Sequence, residues 1–351
     1  MEYSVQEDYS SIPFPEGLPC IDLPRVSLKR LLENDEAEAQ KIFDICISVG
    51  FFYLDLTDHP TGKKMWQQCC EAYHAGQETL PHVSMEEKLA YKARERIGVF
   101  DMGYKCPSID KNGQPRFSEA FNIPLYELLV DEKSGFQLPA WLSKYKELFE
   151  NLLRQGNMIC NILHEILEQK LQVSPGALTS LHHVTDPSND FLRILRYPGT
   201  TAVENPNQVN FPPHRDSVSI AMLFTLVGGL QILDPKFDMH AAKNGNEDGW
   251  RWVKPVDGHV IVNLGDALAI LTNGVLKSGF HRVVTSPKDQ APLDKYSVLL
   301  CCRPKLSTLM MPLTSPIIPP LTAEQKKEPV QTCDEWGATN VQKVYTVLEN
   351  R

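Results

Sequence analysis

The chain has 351 residues, 42% of them hydrophobic and 23% charged, and 44 acidic against 35 basic side chains give it a formal net charge of -9. That is ordinary for a globular enzyme with a sizeable core, built either as two average domains or as one elaborated β domain with helical flanks. Lys and Arg are scattered and form no stripe, which argues against a nucleic-acid partner. The opening "MEYSVQEDYS" lacks the basic and apolar blocks of a signal peptide. No run approaches the roughly 20 apolar residues of a membrane span, so no membrane association is expected. The nine cysteines are odd in number and include no C-x-x-C, so neither a disulfide framework nor a zinc knuckle is expected. A reducing, cytoplasmic setting follows. Nothing points to an obligate protein partner.

In chain order, "CIDLPRVS" at 20–27 reads as a short strand and turn. "ENDEAEAQKIFDICISVG" carries a helical stripe at Ile42, Phe43, Ile45, Cys46 and Val49, with Gly50 as its stop and "FFYLDL" as the following strand. "KKMWQQCCEAYHAGQETL" and "SMEEKLAYKARE" continue as helices, the second with Ser84 as N-cap and Glu87 three residues on. Residues 97–135 are loop-rich and suited to covering a pocket or to joining elements. A long helix over "WLSKYKELFENLLRQGNMICNILHEILEQKL" closes this region.

From residue 191 the hydrophobic period switches from 3.6 to 2, through eight short runs from "FLRILRYP" to "KYSVLLCCRP". Eight such runs indicate a sandwich or barrel, with a double-sheet jelly roll the natural candidate. The fold class is therefore mainly β with flanking helices around a double-stranded β-helix core. The expected division is a mostly helical region with a strand and a lid loop at 1–190, the jelly-roll core at 191–310, and a C-terminal segment at 311–351. The last segment ends in a helix opened by Thr332 and Glu335 in capping-box spacing.

Within "NFPPHRDSVSIAMLFT", His214 and Asp216 stand two apart at the mouth of an apolar run. On a strand they share one face while Arg215 points away. A solvated strand entrance and a metal site both fit that pattern. "ALAILTNGVLKSGFHRVV" reads as two strands joined through Asn273-Gly274, the second carrying His281. Two His and one carboxylate form the facial set that leaves open positions on non-haem Fe(II), although zinc accepts the same donors. In "KYSVLL", Lys295, Ser297 and Leu299 lie on one face. A buried Lys there requires an anion or a large pKa shift, whereas a Lys at the strand mouth sits in water.

The combination of "HRD", "NLGDALAILTNGVLKSGFHRV" and "KYS", with "RYP" and "GLQIL" before them, resembles the isopenicillin N synthase-like group of Fe(II)- and 2-oxoglutarate-dependent dioxygenases. The loop "GYKCPSIDKNGQPRFSEAFNI" is similar to that of the group's fungal biosynthetic members, and the likeness runs from "PCIDL" to "DEWGATNVQKV". The resemblance implies His214, Asp216 and His281 as iron ligands, with no further catalytic side chain. It implies Ser297 on the distal carboxylate of 2-oxoglutarate, Tyr197 against the co-substrate or substrate, and O2 as oxidant. Lys295 stands where the family usually has Arg, which keeps the charge and loses the bidentate fork. The next position back in "RYP", Arg196, either approaches an anionic substrate or co-substrate or forms a surface ion pair, and its alternation with Tyr197 favours the surface pair.

The implied activity is oxidation of a small, largely apolar natural-product intermediate in secondary metabolism, by hydroxylation, desaturation or ring formation. Substrate contacts are expected from Tyr104, Phe121 and Phe211, with no basic cluster awaiting a polyanion. Two alternatives remain at this point. One is a four-electron oxidase without 2-oxoglutarate, and the other is a binding homologue that keeps the barrel without chemistry.

Overall fold

The computed structural model describes residues 12–92, 102–131, 133–200 and 208–340. The opening decapeptide and residues 341–351 lie outside them; the helix after Ser84 is shorter than expected, running Met85–Leu89, and the last residues of that expectation, 93–95, are also outside. Among the described residues twelve strands appear in chain order: β1 (Arg25–Ser27), β2 (Phe51–Asp55), β3 (Gly103–Lys105), β4 (Glu119–Pro124), β5 (Phe191–Tyr197) and β6 (Val209–His214). They continue with β7 (Ile220–Thr225), β8 (Leu230–Leu233), β9 (Trp250–Trp252), β10 (His259–Leu264), β11 (His281–Val284) and β12 (Lys295–Cys302).

These strands form the two sheets of a jelly roll. The larger has the order β1-β2-β10-β7-β12-β5-β4-β3 and the smaller β6-β11-β8-β9. Strands β1 to β4 come from residues 1–190, so the helix-rich N-terminal region and the β-rich core share one sheet. All pairs in that sheet are antiparallel except β1 with β2.

Alternation decides what each face of the larger sheet does. Leu192 and Ile194 of β5, Met222 and Phe224 of β7, and Val298 and Leu300 of β12 point outward and are buried in the main core. Two helices cover that face, Pro60–Thr79 and Lys146–Leu171. The second buries Leu148, Leu152, Ile159, Leu163 and Leu167 along one stripe, each fully buried Leu contributing about 1.5–3 kcal/mol. Contact is close enough that a Cβ on Gly76 would lie 2.7 Å from Ile194 Cγ2, so the Pro60–Thr79 helix needs glycine at that point. The inward face carries the alternate residues and looks toward the smaller sheet.

One sequence expectation fails here. "ALAIL" is a helix, Asp266–Leu271, and no hairpin follows it. Asn273 (φ 45°) and Gly274 (φ 81°) do adopt the left-handed conformations that a tight hairpin would use. They end the helix instead, with Gly274 N–H donating to Ala269 O at 2.7 Å. The same backbone preference serves both motifs, and the helix formers before it decide. The closing helix begins as expected: Thr332 N–H donates to Glu335 Oε2 and Glu335 N–H to Thr332 Oγ1. It runs over 333–340 within the described residues. Among those residues no helix is long and apolar enough to cross a membrane, and all nine cysteines are free thiols.

Candidate metal and co-substrate site

Strands β6 and β11 pair with His214 directly opposite His281. Strand β6 is the edge of the smaller sheet, which is where the consecutive prolines 212 and 213 can be accommodated. The Nδ1 atoms of both histidines face backbone carbonyls, His214 that of Pro212 at 2.8 Å and His281 that of Gly279 at 3.1 Å. A carbonyl only accepts, so each Nδ1 carries the proton and each Nε2 presents a lone pair. Those Nε2 atoms lie 3.3 Å and 3.7 Å from the two Asp216 carboxylate oxygens. Cis ligands around an ion at about 2.1 Å stand about 3 Å apart, so the three donors surround a transition-metal position with little adjustment.

The surrounding residues set the charge. Burial pushes the Asp216 carboxyl up, but the His281 and His214 imidazoles and the Asn263 N–H outweigh it and hold the group well below the usual carboxylate range. Burial, with His214 beside it, brings His281 down to about 4, so it is a neutral ligand at neutral pH. Asn263 Nδ2 donates to Asp216 Oδ2 at 2.8 Å. Two residues on, a Cβ at Gly265 would meet Val218 O at 2.2 Å and Asp216 O at 2.6 Å, so only glycine lets the end of β10 approach the loop that carries the carboxylate. The "NLGD" run thus supports the metal position without contributing a ligand.

The three donors open into a cavity of about 230 Å³ between the sheets. Tyr197, Phe211, Lys295 and Ser297 all line it; alternation accounts for Lys295 and Ser297, whereas Phe211 and His214 stand three apart on a strand whose pairing with β11 is irregular. Lys295 is 3% exposed, lies opposite Tyr197 in the β5–β12 register, and has its Nζ 5.3 Å from the Tyr197 ring centroid. Burial lowers its pKa to about 7. The buried-cation alternative therefore holds over the solvated strand mouth. Gly229, at φ 139°, leaves room for that ammonium: a Cβ there would lie 2.8 Å from Lys295 Nζ.

Tyr104 and Phe121 do not reach the cavity. Their side chains point to the helix-covered face, Tyr104 donating its hydroxyl to Glu119 Oε2 at 2.7 Å and Phe121 packing edge-on against Trp141. Alternation is the reason: their strand neighbours Lys105 and Ala120 face inward and line the cavity instead. Arg196 also faces outward, opposite to Tyr197, and pairs with Glu119 at 2.8 Å and Asp294 at 2.6 Å. Its side chain is only 14% exposed, so this is an interior bridge and not a surface pair.

Sequence reasoning gave no role to Arg193, Lys105, Arg215 or Arg303, which also line the cavity. The signal for Arg193 is present in "FLRILRY", where a period of two puts residues 193, 195 and 197 on one face. A second cluster within ligand distance, His164, His182 and Cys302, lies in the core. There His182 uses Nδ1 on Leu178 O and Nε2 on the Ser219 hydroxyl, and its ring stacks on His164 at 3.9 Å, so packing accounts for it.

Comparison with known proteins gives the same direction. Residues 176–304 match the profile of the 2OG-Fe(II) oxygenase superfamily. A 2-oxoglutarate-dependent dioxygenase of Aspergillus fumigatus is 43% identical over 95% of this chain and 89% of its own. Codeine O-demethylase of Papaver somniferum is 27% identical over 91% of this chain and 80% of its own. Among solved structures, a full-length Neurospora crassa protein in complex with alpha-KG and 5-formyluracil superposes with a TM-score of 0.72 at 22% identity, covering 97% of this chain and 99% of that one. That last likeness concerns the fold.

Proposed function

Because the chain belongs to the Fe(II)- and 2-oxoglutarate-dependent dioxygenases, enzymes that use Fe(II), 2-oxoglutarate and O2, we propose that His214, Asp216 and His281 hold its iron. On this reading the distal carboxylate of 2-oxoglutarate lies between Lys295 and Ser297, with Tyr197 against it. The organic substrate is a small, largely apolar natural-product intermediate. The observation that carries the reading is that one cavity holds three converging donors and a buried ammonium with no carboxylate partner among the described residues.

When bound, Fe(II) would activate O2 at the cost of decarboxylating 2-oxoglutarate to succinate, and so supply the oxidant for hydrogen abstraction from the substrate, with which hydroxylation, desaturation and ring closure all start. The chain's own tasks are positional. The Pro212 and Gly279 carbonyls fix which imidazole nitrogens face the iron, and Asn263 fixes the carboxylate. Lys295 and Ser297 orient the co-substrate, while Phe211, in edge contact with His214 at 4.6 Å, limits water access from the β6 side.

The four-electron oxidase alternative rested on Lys295 alone, and a 43% identical relative that depends on 2-oxoglutarate removes its support. Fe(II) titration of His214→Ala and Asp216→Ala tests the ligand assignment. Each variant should lose stoichiometric iron binding while keeping the far-UV circular dichroism of the native sheets. Retained affinity in both would reject the assignment.

A further inference from the structure

Lys295 combines three features that surface lysines lack. It is 3% exposed, it lines the cavity of the three metal donors, and no described carboxylate pairs with it. Its Nζ stands 5.3 Å from the Tyr197 ring centroid on one side and faces Gly229 on the other, where a Cβ would lie 2.8 Å away. Neither neighbour offers a counter-charge, since burial pushes the Tyr197 phenol up and keeps it neutral. Burial therefore decides the state of the amine and brings its pKa down to about 7. At pH near 7 about half of the molecules hold a free amine here, against fewer than ~1 in 1,000 for an exposed lysine. A second buried lysine, Lys88, differs, because its Nζ donates to Glu119 Oε2 at 2.7 Å and an ion pair occupies it.

A free amine is a nucleophile, and the chemistry of this family brings an electrophile to it. Decarboxylation of 2-oxoglutarate releases CO2 into the cavity that Lys295 lines. CO2 is small and uncharged, so apolar walls do not hold it back. Attack of the Nζ lone pair on its carbon forms an N–C bond and moves one C–O π pair onto oxygen. One Nζ proton leaves to water, and no electron donor or acceptor is needed. The amine plus CO2 thus gives a carbamate anion and a proton.

The surroundings can house that product. Ser297, two residues on along the same face of β12 and 2% exposed, supplies an O–H donor for the new carboxylate. The missing side chain at Gly229 and the cavity of about 230 Å³ leave room for the added group. The guanidinium usual at this position in the family is always protonated and has no lone pair to offer. Lysine in its place therefore adds a reaction and does more than remove a fork.

We propose that Lys295 is a carbamylation site: CO2 adds reversibly to its Nζ, and the resulting carbamate excludes 2-oxoglutarate from the same place. The capture rests on the surroundings of Lys295 itself. The exclusion rests on the reading above, which puts the distal carboxylate of 2-oxoglutarate between Lys295 and Ser297. Carbamylation puts a negative charge where the ammonium was positive, and like charges at one buried station repel. CO2 from turnover or from the surroundings then restrains the enzyme, and a high 2-oxoglutarate concentration relieves it.

The test uses the full chain loaded with Zn(II), equilibrated near neutral pH with isotope-labelled bicarbonate and CO2. Carbon NMR should show a carbamate resonance that is absent in Lys295→Arg and disappears when 2-oxoglutarate is added. Alkylation with triethyloxonium and peptide mass spectrometry then locate the carbamate in the wild-type protein, so the result does not depend on how a variant folds. Calorimetry gives the apparent Kd for 2-oxoglutarate. It should rise ~3-fold at the CO2 level that fills about two-thirds of the sites, and stay constant in Lys295→Arg. No carbamate at Lys295 by either method, or carbamates on other amines only, would overturn the inference and leave the oxygenase reading intact. A Lys295 carbamate that persists under saturating 2-oxoglutarate, with Kd unchanged, would overturn the exclusion and with it the placement of the co-substrate carboxylate at Lys295.

Discussion

Asn263 donates its side-chain N–H to Oδ2 of Asp216 at 2.8 Å, and Asp216 in turn lies within 3.7 Å of both candidate imidazole ligands. The bond fixes which way the carboxylate faces before any metal arrives. Removing such an outer partner usually lowers metal affinity ~10- to 100-fold. Asn263→Ala should weaken Co(II) or Fe(II) binding by that amount with the fold retained, as read by anaerobic titration. Unchanged affinity would show that the carboxylate is held by other means.

Lys295 gives co-substrate binding a pH dependence with a definite sign. It is faced by the Tyr197 ring and by Gly229, and burial lowers its pKa to about 7. A bound carboxylate favours the charged form, so above pH about 7 binding takes up a proton. The 2-oxoglutarate affinity should therefore fall as pH rises from there, by up to ~10-fold per unit, and Lys295→Arg should flatten that slope. The free protein behaves oppositely. Its unfolded chain keeps Lys295 protonated up to about pH 10.4, so this group makes folding more favourable as pH rises from about 7 to 10.4. A slope identical in wild type and Lys295→Arg would remove Lys295 from the co-substrate site.

Gly229→Ala reaches the same ammonium from the opposite side. The new methyl would sit 2.8 Å from Lys295 Nζ and 3.0 Å from Val284 O, at a φ of 139° that suits glycine. Displacing the amine should raise the apparent KM for 2-oxoglutarate at least ~10-fold while iron binding persists. Equal KM values in the two proteins would mean that the amine does not touch the co-substrate.

Tyr104 belongs to the fold and not to the substrate. Its hydroxyl shares Glu119 with Lys88 and Arg196 on the helix-covered side of the larger sheet. Tyr104→Phe should cost about 1–3 kcal/mol of stability in urea unfolding and leave 2-oxoglutarate affinity unchanged. A variant of native stability with altered co-substrate or substrate binding would return Tyr104 to the cavity.

The parts that are legible in the sequence are those governed by a period of two. Alternation along "KYSVLL" is a backbone property, and it puts Lys295 and Ser297 on the inward face where the structure has them; around "HRD" it does not apply, because β6 ends at His214, Asp216 reaches the site from the segment after the strand, and Arg215 lines the cavity instead of pointing away. The same rule, applied to "FLRILRY", reaches Arg193. In 97–135 a loop-like composition hides β3 and β4, and with them the alternation that turns Tyr104 and Phe121 away from the cavity. The helix at Asp266–Leu271 is illegible for a different reason: the positive φ of Asn-Gly serves a helix end as well as a hairpin. Convergence of His281 with His214 is a matter of pairing between strands far apart in the chain, which local sequence does not encode.

The most direct test of the central claim is anaerobic titration of the metal-free protein with Fe(II), with and without 2-oxoglutarate, following the weak visible charge-transfer band of a chelated 2-oxo acid. The expected result is one equivalent of iron, a band that appears only when both are present, and its loss in Asp216→Ala. Stoichiometric iron without the band, or a band that survives Asp216→Ala, would contradict the account.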